Sequence, residues 1–365
     1  MAKYRFDQVA RECRTTFKGD KNGMPIVGLE HLVPNEMLVR DFEVDTENTF
    51  TKSFKQGQIL FGRRRAYQQK AGVAQFDGIC SGDITVIEAI PGKIEPNLLP
   101  FIVQNEQFFE HAIQGSAGSL SPRVKWEHLA SYEIELPTME KQRVLADKLW
   151  TAYRLKESYK KLLAATDEMV KSQFIEMFKD CPIVKLEDNI KTQSGGTPNT
   201  KKQEYYNGGD IPWLSSGEVN QGYIFSTEKF ITQAGLDNSS AKWVPKYSVL
   251  IAMYGATAGK VGFSMIPLTT NQAVCALLPC SSFNSLFLYY AVSQKTDWMI
   301  SQCRGAAQPN ISQGIIRSME IAKPPMEQQK QFVSIAEQAD KSKFVGFKSQ
   351  FIEMFKDCPI VKLED

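Results

Sequence analysis

One stretch occurs twice. KSQFIEMFKDCPIVKLED runs from Lys171 to Asp188 and again, letter for letter, from Lys348 to Asp365. A folding constraint alone would keep the apolar positions Phe174, Ile175, Met177 and Phe178 and tolerate exchanges at the charged ones. Full identity therefore points to duplication of the coding sequence, and the chain reads as two tandem copies of one plan. Weaker matches follow in the same order. KAGVAQFDGICSGDITVIEAIP from Lys70 lies over KVGFSMIPLTTNQAVCALLP from Lys260, and the same constant offset brings Gly115 of GSAGSLSP onto Gly305 of GAAQPNIS. ELPTMEKQ (Glu135 to Gln142) lies over AKPPMEQQ (Ala322 to Gln329). Each copy is a turn-rich globular part, then a Pro-bounded charged helix, then FIEMF.

Within the first copy, short alternating runs at Gln58 to Phe61, Ile84 to Ile90 and Tyr132 to Leu136, separated by Gly, Pro, Asp and Asn, predict a strand-rich domain. Short helices are expected at Phe6 to Arg14 and Leu98 to Ile113. From Thr138 the period changes: Leu145, Leu149, Ala152, Tyr159, Leu163, Val170 and Met177 follow steps of three and four, with no Gly or Pro before Pro182. A helix of about 40 residues, roughly 60 Å long, needs a partner along its flank. The segment from Pro324 to Phe355 carries a similar seam (Phe332, Ile335, Ala336, Ala339, Phe344, Phe347, Phe351, Met354) and offers that partner, although periodicity alone leaves open that each helix packs on its own domain. Strands are also expected around Tyr247 to Met253 and Ala273 to Leu278.

With 42% hydrophobic and 23% charged residues, a soluble globular chain is expected, and the basic, polar start lacks the apolar core of a signal peptide. No apolar run is long enough to span a membrane, so the expected place is the cytoplasm. Seven Cys without a CxxC pair support neither a disulfide framework nor a zinc site. Three His in dissimilar contexts, without HExxH or GxSxG, give hydrolytic chemistry no anchor. GATAGKVG from Gly255 is one residue short of a phosphate-binding loop and has Val261 where Ser or Thr must stand. No catalytic site, metal site or cofactor site is therefore expected. A formal net charge of +2 means that any basic surface must be local.

Local clusters exist. GRRRAYQQKAG, from Gly62, puts Arg63, Arg64, Arg65, Tyr67, Gln68 and Lys70 into one short stretch. Arg pairs with guanine O6 and N7 and Gln with adenine N6 and N7, while Lys and spare Arg bind phosphates. The equivalent stretch of the second copy, MYGATAGKVG, keeps Tyr254 and Lys260. A second matching pair, SPRVKW and CRGAAQPNIS, offers Arg123 and Lys125 in one copy and Arg304, Gln308 and Asn310 in the other. Each cluster alone would pass for a solvated surface, but recurrence at equivalent places suggests recognition.

The ordered series TQSGGTPNT, GGDIPWLSSGE, MYGATAGKVGF, TTNQAV, GAAQPNIS and IAKPPMEQQKQFV, with GSAGSLSPRVKW and IELPTMEKQRVLADKL in the first copy, resembles the specificity subunits of type I restriction-modification systems over nearly the whole chain. The resemblance implies an α+β fold in which two β-rich target recognition domains with short helices are separated by an antiparallel pair of long α-helices. The expected divisions are recognition domains at 1–136 and 182–323, spacer helices at 137–181 and 324–357, and a truncated repeat tail at 358–365. The resemblance implies that the chain reads a bipartite double-stranded DNA target and docks methyltransferase subunits on its helices. Those subunits carry S-adenosylmethionine and the methyl-transfer site, with a restriction subunit beyond them, so this chain is expected to be non-catalytic. Ser215, Ser216 and Asn271 join the DNA-binding candidates from the matched motifs. The first copy departs from the pattern by opening with RTTFKGDKNGMPIVGLEHL in place of SGGTPNT. The chain also stops within the second repeat, so the element after the second helix is expected to be short or absent, and the identical repeat would suit domain exchange by recombination. The rival reading is a structural adaptor whose helices and β-rich domains bind protein.

Overall fold

The computed structural model describes residues 2–45, 47–118, 120–303 and 309–339. They form two compact units, one through Ser158 and one from Tyr159.

In the first unit a five-stranded sheet runs in the order Ala10–Cys13, Ile84–Ala89, Ile59–Gly62, Ala71–Ala74, Leu38–Val39; its pairs are antiparallel except the last, which is parallel. The second unit repeats this order with Thr192–Ser194, Val274–Leu277, Val249–Ala252, Val261–Ser264 and Tyr223–Ile224, again with only the last pair parallel. The strands that start at Ile59 and Ala71 correspond to those that start at Val249 and Val261, at the same offset that relates Lys70 to Lys260. The duplication read from the sequence is thus a duplication of topology. The α+β class holds as expected, with sheets dominant and the helices short apart from the long charged one.

The central strands are buried on both faces, which is why alternation is faint in their sequence. Ile59 and Phe61 face a core completed by Val103, Phe108 and Phe109 from the short helices Leu99–Val103 and Glu106–Gln114. Their neighbour Leu60 faces the opposite way, into a core with Val27, Phe54 and Cys80. Those residues come from a small sheet of Ile26–Val27, Gly78–Cys80 and Lys52–Phe54. In the second unit Val249 and Ile251 join the helix-side core, while Leu250 and Ala252 face the small-sheet side. The helix entries match as well. Asn105 caps Glu106–Gln114 by accepting from Gln107 N, and Asn284 caps Ser285–Ser293 by accepting from Leu286 N and Phe287 N.

A further pair of strands closes each unit. Ala2–Arg5 pairs with Glu133–Leu136, and Ile183–Lys185 with Glu320–Ala322. The first copy of the identical stretch supplies the end of the long helix and then this entry strand. The turn after the strand is the same in both units: Phe6 N donates to Tyr132 O at 2.8 Å and Leu186 N to Met319 O at 2.9 Å. One expectation fails here. Phe6 to Arg14 is not a helix but a single 3-10 turn, Phe6–Gln8, followed by the strand Ala10–Cys13. Apolar residues at 6, 9 and 10 imitate a helical step, yet a 3-10 turn also brings i and i+3 to one side, and all three are fully buried.

The expected long helix is one uninterrupted element, Met139–Phe178, of 40 residues. Helix 326–339 begins the second seam, and the remainder of that expected helix lies outside the described residues. Phe332 is fully buried and meets Phe174 and Phe178 of the long helix at ring-centroid distances of 5.1 and 5.7 Å. The long helices therefore touch each other where both are described, and both also rest on Phe287 of the second unit's own core. Each helix is anchored at its start by a buried glutamine. Gln142 accepts from Glu95 N at 3.0 Å and donates to Pro137 O at 2.9 Å; Gln329 accepts from Asn284 N at 2.8 Å and donates to Pro324 O at 2.9 Å.

Candidate nucleic-acid interface

In each unit the two sequence clusters meet at one place. In the first unit, strand Ile59–Gly62 runs into Arg63, whose N donates to Asp83 O at 2.9 Å and whose O accepts from Val124 N at 2.9 Å. Arg65 N donates to Pro122 O at 2.8 Å, and Arg64 and Arg123 form an isolated antiparallel bridge. In the second unit Met253 N donates to Ala273 O at 2.8 Å, Ile311 N to Met253 O at 2.9 Å and Gly255 N to Pro309 O at 3.0 Å, with Tyr254 bridged to Asn310. The backbone pattern is the same, residue for residue. Across the bridge, however, 123 and 124 stand against 310 and 311, so the register there departs from that of the Gly115–Gly305 match. Loop length absorbs the difference. Arg304 and Gln308 lie outside the described residues.

The turn between strands also has one backbone in two chemistries. Arg65 and Gln69 hold left-handed φ angles of 55° and 51°, and at the equivalent positions Gly255 and Gly259 have φ of 78° and 80°. Left-handed backbone favours glycine, so the first unit accepts strain at two side-chain-bearing residues where the second avoids it. Between them the first unit displays Tyr67, 56% exposed, while Tyr254 of the second is 41% exposed.

The candidates divide by what holds them. Asp83 gathers Arg123 through Nε at 2.6 Å and Nη2 at 3.3 Å, and Arg64 through Nη1 at 3.5 Å; Arg64 Nε also donates to Ser121 Oγ at 2.6 Å. The hydrogen bond from Arg123, with the charges of both guanidinium groups, holds the Asp83 carboxyl below the usual carboxylate range. Lys70 Nζ donates to Leu29 O at 2.7 Å. Arg63 and Arg65 differ: the Nε of each is buried and makes no hydrogen bond. Arg63, with the exposed Lys125, lines a cleft of about 730 Å³ that also includes Thr15, Thr51, Ser81 and Trp126.

In the second unit Lys260 is exposed, and Thr257 Oγ1 donates to Ser216 O at 3.1 Å, which brings the SSGE turn against the Tyr254 loop. Ser215 is engaged from inside: its N and Oγ both donate to Glu218 Oε2 at 2.8 Å, and Glu218 Oε1 accepts from Glu228 N at 2.8 Å. Asn271 Oδ1 accepts from Ala273 N at 3.1 Å. Ser215 and Asn271 thus brace the turn, and Lys70 ties its strand to Leu29. The glycines of SGGTPN are structural too, since a Cβ on Gly195 would lie 1.9 Å from Thr270 O.

Asp83, Ser121 and Glu218 were not singled out by sequence reading. For Asp83 the two copies gave no shared signal, because Ala273 occupies its place in the second. Among the described residues, no group of three or more His, Cys, Asp or Glu is arranged to hold a metal ion, and no helix is long and apolar enough to cross a membrane.

A family model described as type I restriction modification DNA specificity domain matches residues 9–165 and 179–345. The chain is similar to the type I restriction enzyme MjaIX specificity subunit of Methanocaldococcus jannaschii, 31% identical over 162 residues that make up 43% of this chain and 37% of the relative. It is also similar to the type I restriction enzyme HindI specificity subunit of Haemophilus influenzae, 29% identical over 151 residues, 39% of this chain and 32% of the relative. The matched part thus spans about a third of the length of these relatives. Among solved structures, the S subunit of a type I restriction-modification system from M. genitalium has a TM-score of 0.59 at 12% identity, covering 97% of this chain and 92% of that one. A chain from a study of complex assembly and conformational transition in a type I R-M system has a TM-score of 0.54 at 16% identity, covering 97% and 94%. These two share its fold.

Proposed function

Since the chain belongs to the type I restriction-modification DNA specificity family, we propose that it selects the DNA sequence on which a type I complex acts. Two recognition domains, 1–136 and 182–323, each read one part of a bipartite duplex target. The carrying observation is the bridged loop pair, formed by the same backbone hydrogen bonds in both units and bearing Arg63, Arg64, Arg65, Tyr67, Gln68, Arg123 and Lys125 in one, Tyr254, Lys260 and Asn310 in the other. Equal scaffolds with unlike side chains suit unlike half-sites, because phosphate contacts position a reader while base contacts specify. Arg304, Gln308 and Ser216 belong to the second reader under the same proposal.

The helical segments 137–181 and 324–357 would dock modification subunits, which bring S-adenosylmethionine and the methyl-transfer chemistry, and through them a restriction subunit; the setting is the cytoplasm. The chain itself supplies recognition and no catalytic group. Two readers on one chain gain from each other, because binding of the first raises the effective concentration of the second.

Mobility shift of the full chain on duplexes selected from a randomised pool tests this reading. Arg63→Ala and Lys260→Ala are each expected to weaken binding to the selected duplex while assembly with modification subunits persists. Unchanged affinity and unchanged salt dependence in both variants would remove these residues from the interface.

A further inference from the structure

The first unit concentrates four guanidinium groups, from Arg63, Arg64, Arg65 and Arg123, on one bridged loop pair. Such a surface, left free, would bind any duplex through its phosphates and carry no sequence information. Asp83 stands against that. Its carboxylate takes Arg123 through two nitrogens and Arg64 through a third, while Arg64 is also tied to Ser121.

We propose that Asp83 is a specificity-determining positioning residue, which withholds the guanidinium groups of Arg64 and Arg123 from DNA phosphates and leaves Arg63, Arg65 and Lys125 as the available cations of these loops. The inference rests on the DNA-reading role proposed for these loops. Three observations carry it. First, the loops do not need the carboxylate to stay together, since backbone bonds from Arg65 N to Pro122 O and from Val124 N to Arg63 O already join them. Secondly, the ion pairs are open to water, with Arg64 and Arg123 side chains 39% and 46% exposed, so they add little to folding. Thirdly, the second unit lacks the carboxylate where it lacks the cations: Ala273 replaces Asp83, and Tyr254 and Asn310 replace Arg64 and Arg123, on the same backbone. Acid and bases are present together or absent together. A carboxylate on a reading surface also repels phosphate, so a duplex must offer base-edge acceptors to draw either arginine away from it.

The test measures binding of the full chain to random-sequence duplex over a range of salt concentrations. Asp83→Asn keeps the shape of the side chain, and Asp83→Ala copies the second unit. Both are expected to bind random duplex several-fold more tightly than the parent chain, with a log–log salt slope steeper by about 0.9 for each guanidinium released. Adding Arg123→Gln to Asp83→Asn should bring the slope back toward the parent value. An unchanged slope in both Asp83 variants, with Arg63→Ala still weakening binding, would overturn this role and leave the interface standing. If Arg63→Ala also changes nothing, the DNA reading of the loops falls with it.

Discussion

Gly255 and Arg65 occupy one backbone position in two copies, and only one of them is suited to it. A Cβ at Gly255 would touch nothing within 4 Å, so the cost of Gly255→Ala comes from its φ of 78° alone. It should destabilise the chain by about 1–2 kcal/mol, and Arg65→Gly, at φ 55°, should shift stability the opposite way by a smaller amount; paired chemical denaturation measures both. In the sequence GATAGK shows only an incomplete phosphate-binding loop, although its two glycines suit the left-handed positions of this turn. That RRRAYQQK makes the same turn was not legible, because local propensity gives no left-handed signal at Arg. Asp83 adds a pH dependence. Its carboxyl is held below the ordinary value, so the stability it contributes is present above the unfolded-state value near 4 and is lost as pH falls through the lower folded one. Because its pairs with Arg64 and Arg123 are open to water the effect is small: Asp83→Asn should flatten the acid limb of thermal melting below about pH 4 only slightly, and a large loss of stability at neutral pH would contradict the exposed ion-pair geometry.

Among the elements, the long helix was the most legible, since an unbroken run without Gly or Pro and with a sustained apolar seam admits little else. What periodicity could not supply was which part of the seam is buried, for that depends on what covers it. Val170, Phe174 and Phe178 are buried, whereas Leu163, equally in phase, is 38% exposed. Phe332 joins the two helical segments to the second core through contacts with Phe174, Phe178, Phe287 and Tyr290. Phe332→Ala should cost about 3–5 kcal/mol in equilibrium unfolding, as expected for a large aromatic removed from a closed cluster. A loss below about 1 kcal/mol would mean that the contact is incidental. The strands were less legible than the helix for a physical reason. With both faces of each central strand buried, the period-two pattern is weak, though the runs at Gln58 to Phe61 and Ile84 to Ile90 still marked strands Ile59–Gly62 and Ile84–Ala89, and the stretch ahead of strand Ala10–Cys13 imitates a helix because a 3-10 turn places Phe6 and Val9 together. The buried anchors Gln142 and Gln329 were visible as the shared final letter of PTMEKQ and PPMEQQ, although their role was not.

For the whole molecule, matches recurring in one order exposed the plan before any single element could be assigned. They also brought out the clusters proposed as the interface, which one backbone pattern joins in both units. They did not reveal Asp83, which exists in one copy alone. The central claim is that one chain carries two separate readers of duplex DNA. Hydroxyl-radical footprinting of the full chain on a duplex selected from a randomised pool tests it most directly. Two protected tracts divided by an open spacer are predicted, with Arg63→Ala erasing one tract and Lys260→Ala the other; a single tract, or both variants thinning the same one, would contradict it.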